Sequence, residues 1–192
     1  QGPNAQKIIS QLLTPPSAPH HHLLYEAVRV AQKDRTGLGG FDLYVPSESA
    51  FEWWERLIQA GANPIGQQAL NTLRILATRA QWPDDATTKS LIHNLKANEE
   101  CCAFDKGCYV GQEIINRVDV KGLINKRLTL MQFTEQPELG VELHYNDKKV
   151  GILTSATQFQ NTYYGLAVLR KTVWETGTEM SIPNTSIKAK TL

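Results

Sequence analysis

The chain has few cysteines, almost no net charge and no long apolar run, and each shortage excludes a class of protein. Its 3 cysteines are an odd number and two of them, Cys101 and Cys102, are adjacent, which suits a reducing compartment better than a disulfide framework. The 20 basic and 19 acidic side chains give a net charge of +1, so no global field attracts nucleic acid or an acidic membrane. We expect neither as a direct partner.

The length and the apolar content describe an ordinary globular protein. The apolar runs are a few residues long, far below the roughly 20 that span a bilayer. No basic stretch followed by an apolar core and a cleavage site marks a secretory signal in the chain as given. With 192 residues, 41% of them hydrophobic, the chain is long enough for one large domain or two small ones. We expect it in the cytoplasm or in an organellar matrix or stroma.

The first part of the chain predicts helices around a β-hairpin. Apolar spacing predicts a helix over residues 1–13, and a proline-rich loop then ends at three solvated histidines. Alternation over 25–31 and 41–45, around a glycine-rich turn, predicts the hairpin. Helical spacing predicts a second helix from Ser47 and a third over 67–79. The apolar face of the second helix is expected to consist of Ala50, Phe51, Trp54, Leu57 and Ile58, with at least one of Trp53 and Trp54 in the core.

After about residue 121 the sequence pattern changes to short predicted strands separated by turn-forming residues. Regular short strands without helices predict a small barrel or sandwich. The predicted fold class is therefore α+β: a mixed α/β domain of ferredoxin-like type over 1–122, followed by a small antiparallel β-barrel over 123–192. The six strands are predicted at 127–133, 141–145, 150–155, 163–170, 179–182 and 186–190.

A cysteine between two glycines is the most distinctive local feature. Gly107 and Gly111 free the backbone around Cys108, and the neighbouring Lys106 favours the thiolate. Cys108 is thus the candidate reactive thiol, and the alternative is a glycine-bounded turn with a buried cysteine. The three cysteines and His93 fit no familiar metal-ligand spacing, so we predict no metal site.

The stretch Lys-Gly-Cys-Tyr-Val-Gly-Gln-Glu-Ile-Ile-Asn-Arg-Val, residues 106–118, resembles the signature of the YgfZ family of folate-binding proteins. That family shares its fold with the glycine-cleavage T-protein, an aminomethyltransferase, and includes mitochondrial iron–sulfur assembly factors. The resemblance extends over essentially the whole chain. The other matching segments are Gln1-Gly2-Pro3, Arg35-Thr36-Gly37, Gly40-Phe41-Asp42, Pro64-Ile65-Gly66, Thr72-Leu73-Arg74-Ile75, Asn94-Leu95, Val150-Gly151 and Thr154-Ser155.

The resemblance implies tetrahydrofolate as the cofactor and iron–sulfur client proteins, including tRNA-modifying enzymes, as the partners. The implied function is to support assembly or repair of iron–sulfur clusters in these clients. Cys108 would be the catalytic thiol, acting as a nucleophile or as a transient cluster contact. Family members carry a further amino-terminal segment that forms part of the folate channel, so we expect the folate-binding domain to be incomplete at its amino terminus.

Four residues are the candidates for folate binding. Arg74 and Arg117 are chosen because a guanidinium grips a carboxylate bidentately, and each has a salt bridge as its alternative role. Lys106 and Gln112 complete the set. Gln112 serves equally well as a cap of the helix that follows Gly111.

Two other functions stay open. Aminomethyltransferases typically have a Tyr-Thr-Gly-Glu turn and an Ala-Arg-Asp-x-Leu-Arg-x-Glu helix. Leucine stands at three of the ionisable positions here, namely Leu38, Leu70 and Leu76, and leucine accepts no hydrogen bond from a pterin. This departure argues against the runner-up, a folate-dependent aminomethyltransferase. The third hypothesis is a non-catalytic interaction module whose β-rich half docks a partner.

Overall fold

The computed structural model describes residues 1–122 and 124–192, which form two compact units, Gln1–Ala77 and Thr78–Leu192. The first unit contains a three-stranded sheet with helices, and the second contains a closed antiparallel barrel. The predicted α+β fold class is therefore confirmed. Residue 123, where the second predicted domain begins, lies outside the described residues, and the domain boundary between 122 and 123 stays a prediction.

The first unit has an antiparallel sheet in the order β1-β2-β3. Val28, Val30 and Phe41 from this sheet form a core with Ile9, and Trp53 packs against them. The elements are α1 (Ala5–Ile9), β1 (His22–Tyr25), β2 (Val28–Gln32), β3 (Phe41–Tyr44), the 3-10 turn η1 (Ser47–Ser49), α2 (Ala50–Gln59) and α3 (Gln67–Leu76).

Three of the predictions for this unit are wrong in detail. The strand predicted over 25–31 is interrupted, because Glu26 has φ +53° and reverses the chain between β1 and β2. The first helix does not begin at residue 1, because the Gly2 N–H donates to the Gly39 carbonyl. The third helix ends at Leu76 and not at residue 79, because Thr78 adopts φ +56°.

The predicted apolar face of α2 is confirmed for Leu57 and wrong for its other members. Trp53 and Leu57, one helical turn apart, pack against the sheet core. Phe51 and Trp54 are exposed, at 76% and 51%, and Ile58 is also exposed. The expectation that one of the two tryptophans is in the core is confirmed for Trp53.

The barrel of the second unit confirms all six predicted strands, with shifted ends. The strands close in the order β4-β7-β6-β5-β8-β9. Alternate residues point inward, so Leu143, Leu153 and Leu169 are fully buried. The strands are β4 (Lys126–Phe133), β5 (Glu142–Tyr145), β6 (Lys148–Phe159), β7 (Thr162–Arg170), β8 (Glu179–Ser181) and β9 (Lys188–Thr191), with a 3-10 turn η3 (Lys171–Val173) between β7 and β8.

The second unit also contains the segment that precedes the barrel. This segment has three short elements, η2 (Ile92–Leu95), α4 (Asn98–Cys101) and α5 (Gln112–Lys121). None of the helices in 1–122 and 124–192 is long and apolar enough to cross a membrane.

A buried carboxylate joins this segment to the barrel wall. Asp85 is 3% exposed, and its Oδ1 accepts hydrogen bonds from the hydroxyls of Thr154, at 2.5 Å, and Ser155, at 2.8 Å, on β6. Its Oδ2 accepts from the Gln81 N–H at 3.0 Å. Because a buried carboxylate needs such donors, this contact fixes where the segment meets the barrel.

We predict that Asp85→Ala lowers the free energy of unfolding by about 2 kcal/mol, because it removes the carboxylate that accepts from the buried Ser155 hydroxyl and from the Gln81 N–H. The measurement is denaturant unfolding followed by the fluorescence of the tryptophans. Asp84→Ala is the matched control, since its neighbouring carboxylate is exposed, and it should change stability by less than about 0.5 kcal/mol. Equal losses in the two variants would contradict the role of Asp85.

Candidate functional site

The loop between α4 and α5 presents Cys108 to solvent. Cys108 is a free thiol and is exposed. Gly111 is the residue before the first turn of α5 and has φ +89°, a conformation that L-residues with a side chain rarely adopt. Gly107 has no such φ, and a methyl group added there would meet no atom within 4 Å. The alternative of a buried cysteine is therefore wrong, while the catalytic role of Cys108 stays a prediction.

Tyr109 holds the loop together. The ammonium of Lys106 lies 4.8 Å from the centroid of the Tyr109 ring, a cation–π contact. The Tyr109 N–H donates to Gln112 Oε1 at 3.2 Å, and the Gln112 N–H donates to the Tyr109 carbonyl at 3.2 Å. Gln112 thus ties the loop to the first residue of α5. It does not cap the helix, because its Oε1 accepts from Tyr109, which lies before the cap residue Gly111, so the capping alternative is wrong. The folate-binding role of Gln112 stays a prediction.

The charge of Lys106 acts on the pKa of the Cys102 thiol. Burial raises the pKa of Cys102, Cys101 and Asp119 raise it further, and Lys106 opposes them. Cys102 therefore stays a protonated, weakly nucleophilic thiol near neutral pH.

The predicted folate residues fall into two groups. Lys106 and Gln112 lie with Cys108 in one loop, and Arg117 is exposed further along α5. Arg74 belongs to the first unit, where it is buried on α3 and its Nε donates to Asn71 Oδ1 at 2.7 Å.

Sequence reasoning missed the role of Gln1. Its Oε1 accepts from the Arg35 N–H at 2.9 Å, and its Nε2 donates to the carbonyls of Lys33, at 3.0 Å, and Phe41, at 3.1 Å. A Cβ on Gly40 would lie 2.2 Å from Gln1 Oε1, so a side chain there would push the Gln1 amide out of these hydrogen bonds. Two of the matching segments, 1–3 and 35–42, therefore meet in space, a contact for which the sequence gives no spacing signal.

Two buried polar atoms near α5 were also missed. The hydroxyl of Tyr109 and Nε2 of His93 have no hydrogen-bond partner among the described residues. His93 is 4% exposed, and its Nε2 lies 3.8 Å from Asp119 Oδ1. Within 1–122 and 124–192, no three His, Cys, Asp or Glu side chains are grouped to hold a metal ion.

The residues of the loop fit part of a folate molecule. Lys106, which is exposed and packs on the Tyr109 ring, supplies a cation that suits a carboxylate of the glutamate tail. The described cavities lie elsewhere. Those of about 410 and 240 Å³ are on the barrel wall, and one of about 390 Å³ in the first unit is lined by Leu13, Tyr25 and Trp53. The loop thus fits the tail, and these cavities offer no slot for the pterin beside it.

Comparisons with known proteins point to one fold. The chain is 30% identical over 207 residues to an aminomethyltransferase of Listeria welshimeri and 29% identical over 204 residues to one of Listeria monocytogenes, in each case over 99% of this chain and 56% of the relative. A putative chloroplastic transferase of Arabidopsis thaliana is 27% identical over 94% of the chain and 44% of its own length. The chain thus spans about half the length of these relatives.

The fold itself is that of a solved aminomethyltransferase. The glycine cleavage system aminomethyltransferase T from Bartonella henselae superposes with a TM-score of 0.80 at 16% identity, over 100% of this chain and 56% of the other. No family model matches the chain. The similarity supports an aminomethyltransferase-like fold, and none of these relatives is named as a YgfZ protein.

We predict that Gly111→Ala destabilises the protein by about 1 kcal/mol, because alanine at φ +89° is strained. Gly107→Ala is the matched control in the same loop and should be close to neutral. Thermal and denaturant unfolding of the two variants test the difference. A neutral Gly111→Ala would mean that α5 begins with a different backbone geometry.

Proposed function

We propose that this protein is a tetrahydrofolate-binding factor of the YgfZ type that supports assembly or repair of iron–sulfur clusters in client enzymes, including enzymes that modify tRNA. The observation that carries the proposal is the free, exposed thiol of Cys108, next to the glycine-started helix α5. Glycine on both sides leaves the sulfur open to the surface of another protein.

Different residues of the chain have different roles in this function. Cys108 offers its sulfur to the client, as a nucleophile or as a transient contact of the cluster. Cys102 does not compete, because burial raises its pKa. Lys106 and Arg117 hold the folate tail, and Gln112 fixes the loop that carries Lys106. Bound tetrahydrofolate supplies a one-carbon carrier.

A second function is favoured by the comparisons. The two Listeria relatives named above are called aminomethyltransferases and match 99% of the chain. Formation of methylene-tetrahydrofolate from an aminomethylated carrier protein would identify this activity. Leu38, which is 48% exposed, argues against it, because a leucine at this position offers no carboxylate to the pterin.

We predict that Arg117→Ala weakens tetrahydrofolate binding about tenfold, because a charge-assisted hydrogen bond to a carboxylate is lost. Isothermal titration calorimetry with tetrahydrofolate measures the change. Lys121→Ala removes a cation from the same helix, one turn further on, and should change the affinity less than twofold. Equal losses in both variants would indicate attraction to net charge, and no loss in either would place the folate tail elsewhere.

We predict that Cys108→Ala abolishes the support of iron–sulfur enzymes while changing stability by less than about 0.5 kcal/mol, since the side chain is exposed. The measurement is the activity of an iron–sulfur enzyme in cells that depend on this protein. Cys101→Ala, also at an exposed thiol, is the control and should retain full support. Full support by Cys108→Ala would contradict the assigned role.

A further inference from the structure

His93 is a buried imidazole whose second nitrogen is left unpaired. The side chain is on η2 and 4% exposed, and Nε2 has no hydrogen-bond partner among the described residues. A buried polar atom without a partner costs stability, because it has lost its water. A second conformation in which Nε2 has a hydrogen-bond partner would recover this stability.

The carboxylate of Asp119 can supply that partner. Asp119 Oδ1 lies 3.8 Å from His93 Nε2, slightly beyond hydrogen-bond distance, and the Asp119 side chain is 44% exposed and has room to move. Asp119 stands in the last turn of α5, where the helix dipole disfavours a carboxylate. A cation at His93 would relieve both the orphaned nitrogen and this unfavourable position.

The other charged groups around η2 include some that favour protonation of His93 and some that oppose it. The elements that pack against it are α4, α5 and β4. The acids of α4 favour a protonated imidazole, although Glu100 is already paired with Arg79. The cations oppose it, although Arg127 is stacked on Trp174 at 4.5 Å. The ionisable groups that these elements and the end of η2 contribute, besides Asp119, are Lys96, Glu99, Glu100, Cys101, Glu113, Arg117, Lys121, Lys126 and Arg127.

We propose that His93 and Asp119 form a proton-dependent latch between η2 and α5. When the imidazole takes up a proton, Nε2–H donates to Asp119 and ties the last turn of α5 to η2. When the proton leaves, the contact opens to the separation seen here. Gly111, the residue before α5, directly follows the Cys108 loop. The latch therefore sets how firmly the helix at the end of that loop is held in place. His93 is in this sense a positioning residue, and the latch does not rest on folate binding.

Amide hydrogen exchange of α5 tests the latch. After correction for the intrinsic pH dependence of exchange, the amides of α5 should exchange about threefold more slowly at pH 5.5 than at pH 8, the effect expected of an ion pair with one exposed partner. The sign follows from the proton: the contact is present while the imidazole is protonated, at the lower pH, and is lost once the imidazole is neutral.

Two variants remove the latch in different ways. His93→Gln keeps a polar atom near the position of Nε2 but takes up no proton. Asp119→Asn removes the negative charge of the acceptor, and because the side chain is 44% exposed this substitution should not disturb folding. Both should abolish the pH dependence of α5 exchange. Glu99→Gln removes an exposed carboxylate from α4 and should leave the threefold difference intact.

Each other result overturns the proposal. Faster exchange of α5 at pH 5.5 would show that charging the buried imidazole only destabilises the fold. Equal exchange at the two pH values would show that no latch forms. A pH dependence that survives Asp119→Asn would assign the effect to another acid. None of these results bears on folate binding or on cluster support by Cys108, so the two proposals fail separately.

Discussion

The placement of the candidate site depends on one buried carboxylate. Asp85 accepts hydrogen bonds from Thr154 and Ser155 on β6 and from the backbone of Gln81, and it thereby attaches the segment before the barrel to the barrel wall. The closed barrel is the rigid part of this unit, since its strands pair all the way round. The short helices η2, α4 and α5 have too few residues to be stable alone, so their position comes from this attachment and from the contact of η2 with β4.

On this support, short-range contacts arrange the loop. Tyr109 binds Gln112 through its backbone and Lys106 through its ring, while Gly111 makes the turn into α5. These contacts leave the Cys108 sulfur in solvent and place the charge of Lys106 near Cys102. The two thiols differ for this reason: one is accessible, and the other is partly buried with a raised pKa. Cys101 is also exposed, so this difference separates Cys108 from Cys102 and not from Cys101.

The sequence predicts well what repeats along the chain and poorly what depends on distant residues. The barrel strands follow from turn formers and from two-residue alternation, as in β9, where the buried Ala189 lies between the exposed Lys188 and Lys190. The exposed face of α2 was mispredicted, because Phe51, Trp54 and Ile58 have helical spacing as good as that of Trp53 and Leu57, and only the position of the sheet decides between them. The Asp85–Thr154 and His93–Asp119 contacts join residues far apart, and no local pattern marks them. The cysteine signature identifies the loop, but the structure alone shows that the Gln112 side chain bonds back to Tyr109 and does not cap the helix.

The central claim is that the fold separates one accessible thiol from a protected one. Alkylation of the native protein with iodoacetamide, followed by mass spectrometry of each cysteine peptide, tests it directly. The account predicts that Cys108 reacts at nearly the rate of the unfolded chain, while Cys102 reacts much more slowly until the protein is unfolded. Protection of Cys108 in the native protein, or equal rates at the two cysteines, would contradict it.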